Sequence, residues 1–163
     1  MNGKTMDLFK FCLDADQASG SYAIQDLNRL SAELVASDGE LVWNFSGGRH
    51  QIGAPELKLH IQAQVKLICQ RCLTPYVETL DSVSTLVLAK TEEQADELEE
   101  RLNDDSIDVI VVSPEQEYSV LIEDEALLAL PVSPRHATCP DGFKAEIINE
   151  KPVSPFAALK KLK

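Results

Sequence analysis

The stretch ELKLHIQAQVKLIC, residues 56–69, decides the fold, because apolar and polar residues alternate along nearly all of it. Every second residue from Leu57 to Cys69 is apolar, and the residues between them as far as Lys66 are polar or charged. Successive side chains of a β-strand point to opposite faces, so this pattern predicts a long strand with one buried and one hydrated face.

Further strands are predicted on both sides of this one. The run 76–90 is rich in β-branched residues and predicts a second strand, which makes QRCLTP, residues 70–75, a hairpin connection. Upstream, residues 41–45 alternate in the same way and end at the turn signal SGG, residues 46–48. Downstream, DVIVV at 108–112 predicts a short buried strand.

Two segments have apolar residues at helical spacing. Residues 24–36 predict a short amphipathic helix with Ser21 as its N-cap, and residues 118–131 predict a core helix that ends at Pro131. The acidic segment 91–105 fits either a solvated helix or a loop. Strands followed by helices predict an α+β domain: a twisted antiparallel sheet of four or five strands, open or barrel-like, backed by one or two helices.

Length and charge limit the classes of function. The chain has 163 residues, of which 44% are hydrophobic, as expected for one globular domain, which we place at residues 1–150 before a proline-led basic tail at 151–163. The formal net charge is −12, whereas binding to nucleic-acid phosphates favours a basic surface. A basic protein is therefore a more natural direct partner than RNA, although acidity also serves solubility alone.

The sequence predicts a cytoplasmic protein that does not enter a membrane. Charged residues interrupt the first twenty residues, and no later run approaches the roughly 18 apolar residues of a membrane span. In the cytoplasm, the four cysteines favour metal binding, redox chemistry or burial over disulfides.

Two short motifs supply candidate metal ligands. Cys69-x-x-Cys72 and His136-x-x-Cys139 provide four ligands of the kinds that zinc prefers, and both lie on predicted loops. An equally good alternative to a metal site is that Cys69 is a small residue of the core and His136 an exposed loop residue. A redox-active cysteine pair is expected at the start of a helix, because the helix N-terminus lowers the pKa of a thiol. These cysteines follow a strand instead, so a redox pair is disfavoured.

The sequence holds no recognisable catalytic motif. Phosphate-binding glycine loops, nucleophilic-serine elbows and zinc-protease helices are absent from it. The acidic triplet at residues 123–125 is interpreted as a solvated helix face, because successive helical residues point in different directions. His50 and His60 are predicted to be exposed. We therefore predict no catalytic residues.

Three segments together resemble the YceD-like family of bacteria and chloroplasts. They are the C-x-R-C-L element at 69–73, the acidic stretch EDEALLALPVSPRHATC at 123–139, and the terminal PFAALKKLK at 155–163. The resemblance implies a role in the synthesis, processing or stability of large-subunit ribosomal RNA and carries over no catalytic residue. Some relatives have a fuller cysteine set in the second cluster, where this chain has His136 and Cys139.

The resemblance and the charge together predict a non-enzymatic ribosome-biogenesis factor with a candidate zinc site. Its expected partner is a basic ribosomal protein or a pre-ribosomal large-subunit particle rather than naked rRNA, a membrane or a small-molecule substrate. Candidate partner-binding residues are Arg71 and Arg135 beside the cysteine loops, and Lys160, Lys161 and Lys163 in the tail. The alternatives are a metal- or thiol-dependent RNA-processing enzyme and an adapter protein unrelated to ribosomes.

Overall fold

The computed structural model describes residues 5–102, 104 and 106–140, and within them the predicted α+β class is confirmed. The basic tail predicted at 151–163 lies outside the described residues. The elements, in chain order, are β1 (Thr5–Met6), α1 (Leu8–Leu13), β2 (Gln17–Ala23), a 3-10 turn (Ile24–Asp26), α2 (Asn28–Glu33), β3 (Glu40–Arg49), β4 (Pro55–Ile68), β5 (Pro75–Ala89), α3 (Glu92–Leu102), β6 (Asp108–Val111), β7 (Gln116–Glu117) and α4 (Tyr118–Leu128).

The main sheet has five strands in the order β2-β3-β4-β5-β6. The first four strands are antiparallel neighbours, as predicted, but β6 runs parallel to β5, so the sheet is mixed. The reason is α3, which carries the chain back along the sheet; a parallel neighbour needs such a long crossover connection. Since β2 and β6 are separate edges, the sheet is open and is not a barrel.

The long central strand predicted from residues 56–69 is confirmed as β4. Its apolar residues from Leu57 to Leu67 are buried, and four of the polar residues between them are exposed, with His60 of intermediate exposure. β4 pairs along most of its length with both β3 and β5, so that Leu59 lies opposite Phe45 on one side and Ser84 on the other. The alternation in the sequence therefore sets which face of the sheet is buried.

The two faces of the sheet are covered unequally. One face packs against α1, α2 and α4 and forms the main core, whose largest fully buried side chains include Phe45, Leu59, Ile61 and Ile122. On the other face, α3 covers only the end of β5 with a small cluster that contains Val87, Ala89, Ala95 and Leu98. Both faces are covered at this end, so Leu86–Ala89 are buried without alternation.

The helix predicted over residues 24–36 is wrong in extent. Ser21 is not an N-cap but lies in β2, opposite Val42, and the chain then makes the 3-10 turn before the six-residue α2. Leu34 after α2 has an extended backbone (φ −102°, ψ 153°). The helical spacing reflects the burial of Ile24, Leu27 and Leu30 by a bent segment, not one continuous helix.

The turn predicted at residues 46–48 is also wrong, because β3 continues through both glycines to Arg49. Gly47 passes so close to α1 that a Cβ on it would lie 2.7 Å from the carbonyl oxygen of Phe11. The SGG sequence therefore serves close packing of a strand against α1, and the chain turns after Arg49 instead.

The C-terminal half agrees more closely with prediction. Residues 91–105, left open between helix and loop, contain the helix α3, and the predicted core helix is α4. β6 is only half-buried, since it is the edge strand of the sheet. None of the helices in the described part of the chain is long and apolar enough to cross a membrane.

Candidate metal centre

Three cysteines and a histidine meet at the end of the β4–β5 hairpin. The ligand atoms of Cys69, Cys72, His136 and Cys139 all lie within 4.8 Å of one another. The Sγ atoms of Cys69 and Cys139 are 3.8 Å apart, and Sγ of Cys72 is 3.3 Å from Nδ1 of His136. The structure thus brings together the two loops that the sequence analysis expects to meet, while metal binding by them stays a prediction.

The hairpin loop turns sharply enough to bring its two cysteines to one side. The N–H of Leu73 donates to the carbonyl oxygen of Cys69 at 2.8 Å, and the N–H of Cys69 donates to that of Thr74 at 3.0 Å. Leu73 has a left-handed backbone (φ +58°), which costs a non-glycine residue about 1–2 kcal/mol. This strained turn is the local feature that places Cys72 beside the buried Cys69.

The second loop follows α4 and is attached directly to the hairpin. The N–H of Gln70 donates to the carbonyl oxygen of Pro134 at 2.8 Å, and the hydroxyl of Ser133 donates to the side-chain oxygen of Gln70 at 3.2 Å. The rings of Tyr76 and His136 pack with their centroids 5.0 Å apart. These contacts hold the His136-x-x-Cys139 segment over the cysteine pair.

The surroundings of the cluster favour thiolates in the hairpin. Burial by itself raises the pKa of Cys69, but the backbone N–H groups of Cys72, His136 and Arg71 outweigh it and lower that pKa to about 5. The pKa of Cys72 is lowered chiefly by its hydrogen bond with the hydroxyl of Thr74. Since the thiolate is the form that binds metal, both cysteines are prepared for that role.

Arg71 is bound to the cluster through its guanidinium, although the residue is exposed, so partner binding by Arg71 stays a prediction. Its Nε donates to Sγ of Cys139 at 3.0 Å, and its Nη2 donates to the carbonyl oxygen of His136 at 3.3 Å. Three thiolates around a divalent ion carry one net negative charge, which one guanidinium would balance. Burial raises the pKa of Cys139, and the contact with Arg71 opposes that rise.

The cluster fits a structural zinc site. Zinc binds four ligands tetrahedrally, at about 2.3 Å from sulfur and 2.0–2.1 Å from nitrogen, so two sulfur ligands should lie about 3.8 Å apart. The distance between the sulfur atoms of Cys69 and Cys139 is 3.8 Å. All four positions would be filled by protein side chains, which is typical of structural sites; catalytic sites keep one position for water.

The remaining candidate residues lie elsewhere or have other roles. Arg135 is exposed beside the cluster, and Lys160, Lys161 and Lys163 lie outside the described residues. His60, on the hydrated face of the sheet, is 2.7 Å from the carboxylate of Asp81.

The acidic triplet on α4 is not the solvated face that the sequence predicts. The side chain of Glu123 is only 12% exposed and binds the backbone of α2, while Asp124 pairs with Arg29. Glu125 accepts a hydrogen bond from the hydroxyl of Ser82 at 2.6 Å. No signal in the sequence pairs these residues, because their partners are distant in the chain.

Comparison with known proteins decides the family. The model of the family described as "Large ribosomal RNA subunit accumulation protein YceD" matches residues 57–163, a segment that begins in β4 and contains all four cluster residues. The chain belongs to the YceD family. A relative from Haemophilus influenzae, named large ribosomal RNA subunit accumulation protein YceD, is 32% identical over 157 residues, covering 88% of this chain and 86% of its own. No solved structure matches the chain.

Proposed function

We propose that this YceD family member is a non-enzymatic factor that supports the accumulation of large-subunit rRNA in the cytoplasm. The observation that carries the proposal is the match to a family described by that role, which covers the chain from Leu57 to Lys163. The relative from Haemophilus influenzae, which carries the same description, extends the similarity over most of the chain.

The cysteine cluster supports a structural role rather than a catalytic one. With Cys69, Cys72, His136 and Cys139 as ligands, zinc would have no open position at which to activate a water molecule. Bound zinc would cross-link the β4–β5 hairpin to the loop after α4. The protein would then present a fixed surface at this end, which suits an assembly factor.

The charge of the protein favours a basic partner protein or a pre-ribosomal particle over naked rRNA. The formal net charge is −12, and phosphate binding depends on available cations. Three basic side chains of the described region already pair with carboxylates: Arg29 with Glu123 and Asp124, Lys58 with Glu56, and Lys66 with Asp38. Arg71 is engaged by the cluster as well.

A strain that lacks the gene tests the cellular role. We expect it to contain less large-subunit rRNA relative to small-subunit rRNA, and the wild-type gene should restore the ratio. Complementation with Cys72→Ser tests the cluster, and Cys12→Ala is the matched control, because Cys12 is buried in the core away from the cluster. An unchanged rRNA ratio in the deletion strain would contradict the proposed function.

Binding and turnover measurements test the partner and the mechanism. The purified protein should capture ribosomal proteins or precursor particles more tightly than protein-free rRNA, and it should not cleave or modify rRNA. Tight, salt-sensitive binding to naked rRNA would contradict the proposed partner. Turnover of rRNA that Cys72→Ser or a chelator abolishes would establish instead the metal- or thiol-dependent enzyme.

A further inference from the structure

The strand β6 forms an edge of the sheet that has no neighbouring strand on its outer side among the described residues. It consists of Asp108–Val111 and pairs with β5 alone. An edge strand presents unpaired N–H and C=O groups, which can pair with an added chain. Protein domains that bind extended peptides use such edges, with affinity from the backbone and selectivity from the side chains.

The two faces of the sheet beside this edge differ in chemistry. On the side of α4 lies a mainly apolar groove of about 600 Å³, lined by residues that include Leu86, Ile110, Leu121 and Leu128. Asp124 and Glu125 also line it, but their carboxylates are bound by Arg29 and by the hydroxyl of Ser82. The side chain of Leu128 is 80% exposed, although it is large and apolar. Asp108 lies at the boundary, since it lines both this groove and the cleft on the opposite face.

On the side of α3 lies a more polar cleft of about 380 Å³. Glu99 and Glu100 of α3 line it together with Asp108, and both glutamates are exposed. Of the four residues of β6, Val109 and Ile110 are half-buried, with Val109 packed against the α3 cluster and Ile110 against the main core. The edge therefore separates a mainly apolar surface from an acidic one.

A strand added along β6 would place its side chains alternately on these two surfaces, because successive residues of a strand point to opposite faces. We propose that the β6 edge is a docking site for an extended segment of a partner protein in which apolar residues alternate with lysine or arginine. The apolar side chains enter the groove beside Leu128, and the cations face Glu99 and Glu100. This inference deepens the proposed function and rests on its basic partner protein.

A synthetic peptide of alternating lysine and valine, KVKVKVK, tests the site by fluorescence anisotropy with the full chain. We expect it to bind, and we expect EVEVEVE and KSKSKSK to bind at least about tenfold more weakly, since each lacks one of the two side-chain chemistries. Replacing alternate residues of the peptide with proline should also abolish binding, because proline cannot donate to a strand ladder.

Matched charge reversals locate the site on the protein. The double variant Glu99→Lys/Glu100→Lys should weaken binding of KVKVKVK by about tenfold or more. The control Glu92→Lys/Glu93→Lys makes the same change in net charge in the first turn of the same helix, about 10 Å from Glu99 and Glu100, and should weaken binding much less. Leu128→Glu should also weaken binding, because it places a charge in the groove that takes the apolar side chains of the peptide.

Three outcomes would overturn the docking site. Equal losses in the two double variants would show attraction to net charge alone. Equal binding of KVKVKVK and its proline-substituted form would exclude strand addition. Stronger, competing binding by a peptide of residues 152–163 would make the tail of this protein the occupant, either of its own chain or of a second copy. Because rRNA in the deletion strain is measured independently, any of these results leaves the proposed function standing.

Discussion

The carboxylate of Glu123 binds the N-terminus of a helix that lies more than ninety residues earlier in the chain. One of its oxygens accepts the backbone N–H groups of Arg29 and Leu30, at 2.7 and 3.1 Å, and the other accepts Nε of Arg29 at 2.9 Å. The N-cap residue of α2 is Leu27, whose side chain cannot accept a hydrogen bond. A residue of α4 therefore performs the capping that the local sequence of α2 lacks.

Substitution of this cap should destabilise the protein. A helix of six residues is not stable alone, so Glu123→Ala should lower the free energy of unfolding by about 1–2 kcal/mol, the usual cost of losing an N-cap. Urea unfolding followed by circular dichroism measures the difference. Asp124→Ala is the control, because it removes only a half-exposed ion pair with Arg29, worth about 1 kcal/mol or less. Equal effects of the two substitutions would contradict the capping role.

How much the sequence predicts depends on whether the signal is local. The strict alternation of residues 57–67 is set by one strand and its two faces, so β4 and its hairpin could be predicted. The cysteine and histidine spacings are likewise local, and they identify the four cluster residues without any knowledge of the fold. By contrast, the cap provided by Glu123 depends on a tertiary contact that no window of sequence contains.

The mixed sheet and the role of Arg71 could not be predicted for the same reason, because both depend on segments that are distant in the chain. The apolar pattern of α3 is weak, with only Ala95 and Leu98 buried, so the sequence leaves helix and loop equally open. Without that helix, the crossover that makes β6 parallel could not be inferred. Arg71 could be placed in the loop but not oriented, because the sulfur of Cys139 and the carbonyl of His136 come from a distant segment.

Gly47 should be intolerant of even a methyl side chain. A Cβ there would lie 2.7 Å from the carbonyl oxygen of Phe11 and 2.9 Å from Cα of Cys12, and backbone atoms cannot move aside cheaply. Gly47→Ala should therefore destabilise the protein by about 1–3 kcal/mol, as overpacking usually does. Gly48→Ala is the matched control in the same strand, because nothing lies within 4 Å of its added Cβ. Thermal unfolding of both variants measures the difference, and equal melting temperatures would contradict the close approach of β3 and α1.

Substitution of a single cluster residue should lower the zinc content of the protein. The protein purified with zinc should contain about one ion per chain, since four ligands form one tetrahedral site. Cys72→Ser and Cys139→Ser should each lose most of it, whereas Cys12→Ala should keep it. Elemental analysis measures the zinc, and the absorption of the cobalt-substituted protein reports thiolate coordination independently. A zinc content that is the same in Cys72→Ser and wild type would exclude this site.

Removal of the metal should loosen the attachment between the two loops more than it unfolds the sheet. The main core behind β4 does not include the cluster residues, whereas the segment 131–140 is held to the hairpin by contacts between two loops, among them the bond from Gln70 to Pro134. A chelator should therefore increase hydrogen exchange and proteolysis at 131–140 and at the hairpin loop, with little change in β3 and β4. Faster exchange along the whole of β4 would instead indicate that the metal holds the entire fold.

Arg71 should tune the affinity of the cluster for zinc without being a ligand. Its guanidinium donates to the sulfur of Cys139 at 3.0 Å and lies beside three cysteine sulfurs, which are thiolates when zinc is bound, so its loss removes both a hydrogen bond and the balancing positive charge. Groups that bond to metal ligands in this way typically contribute about 10- to 100-fold in affinity. Arg71→Gln should weaken zinc binding by that factor in competition with a chromophoric chelator, while the zinc bound at saturation stays at about one ion per chain.

Arg71→Lys keeps the charge but cannot bind Cys139 and His136 in the same geometry, so an intermediate affinity is expected. Arg135→Gln is the control, because Arg135 is exposed beside the cluster and carries the same charge. If Arg71→Gln bound zinc as tightly as Arg135→Gln, the guanidinium would not stabilise the site.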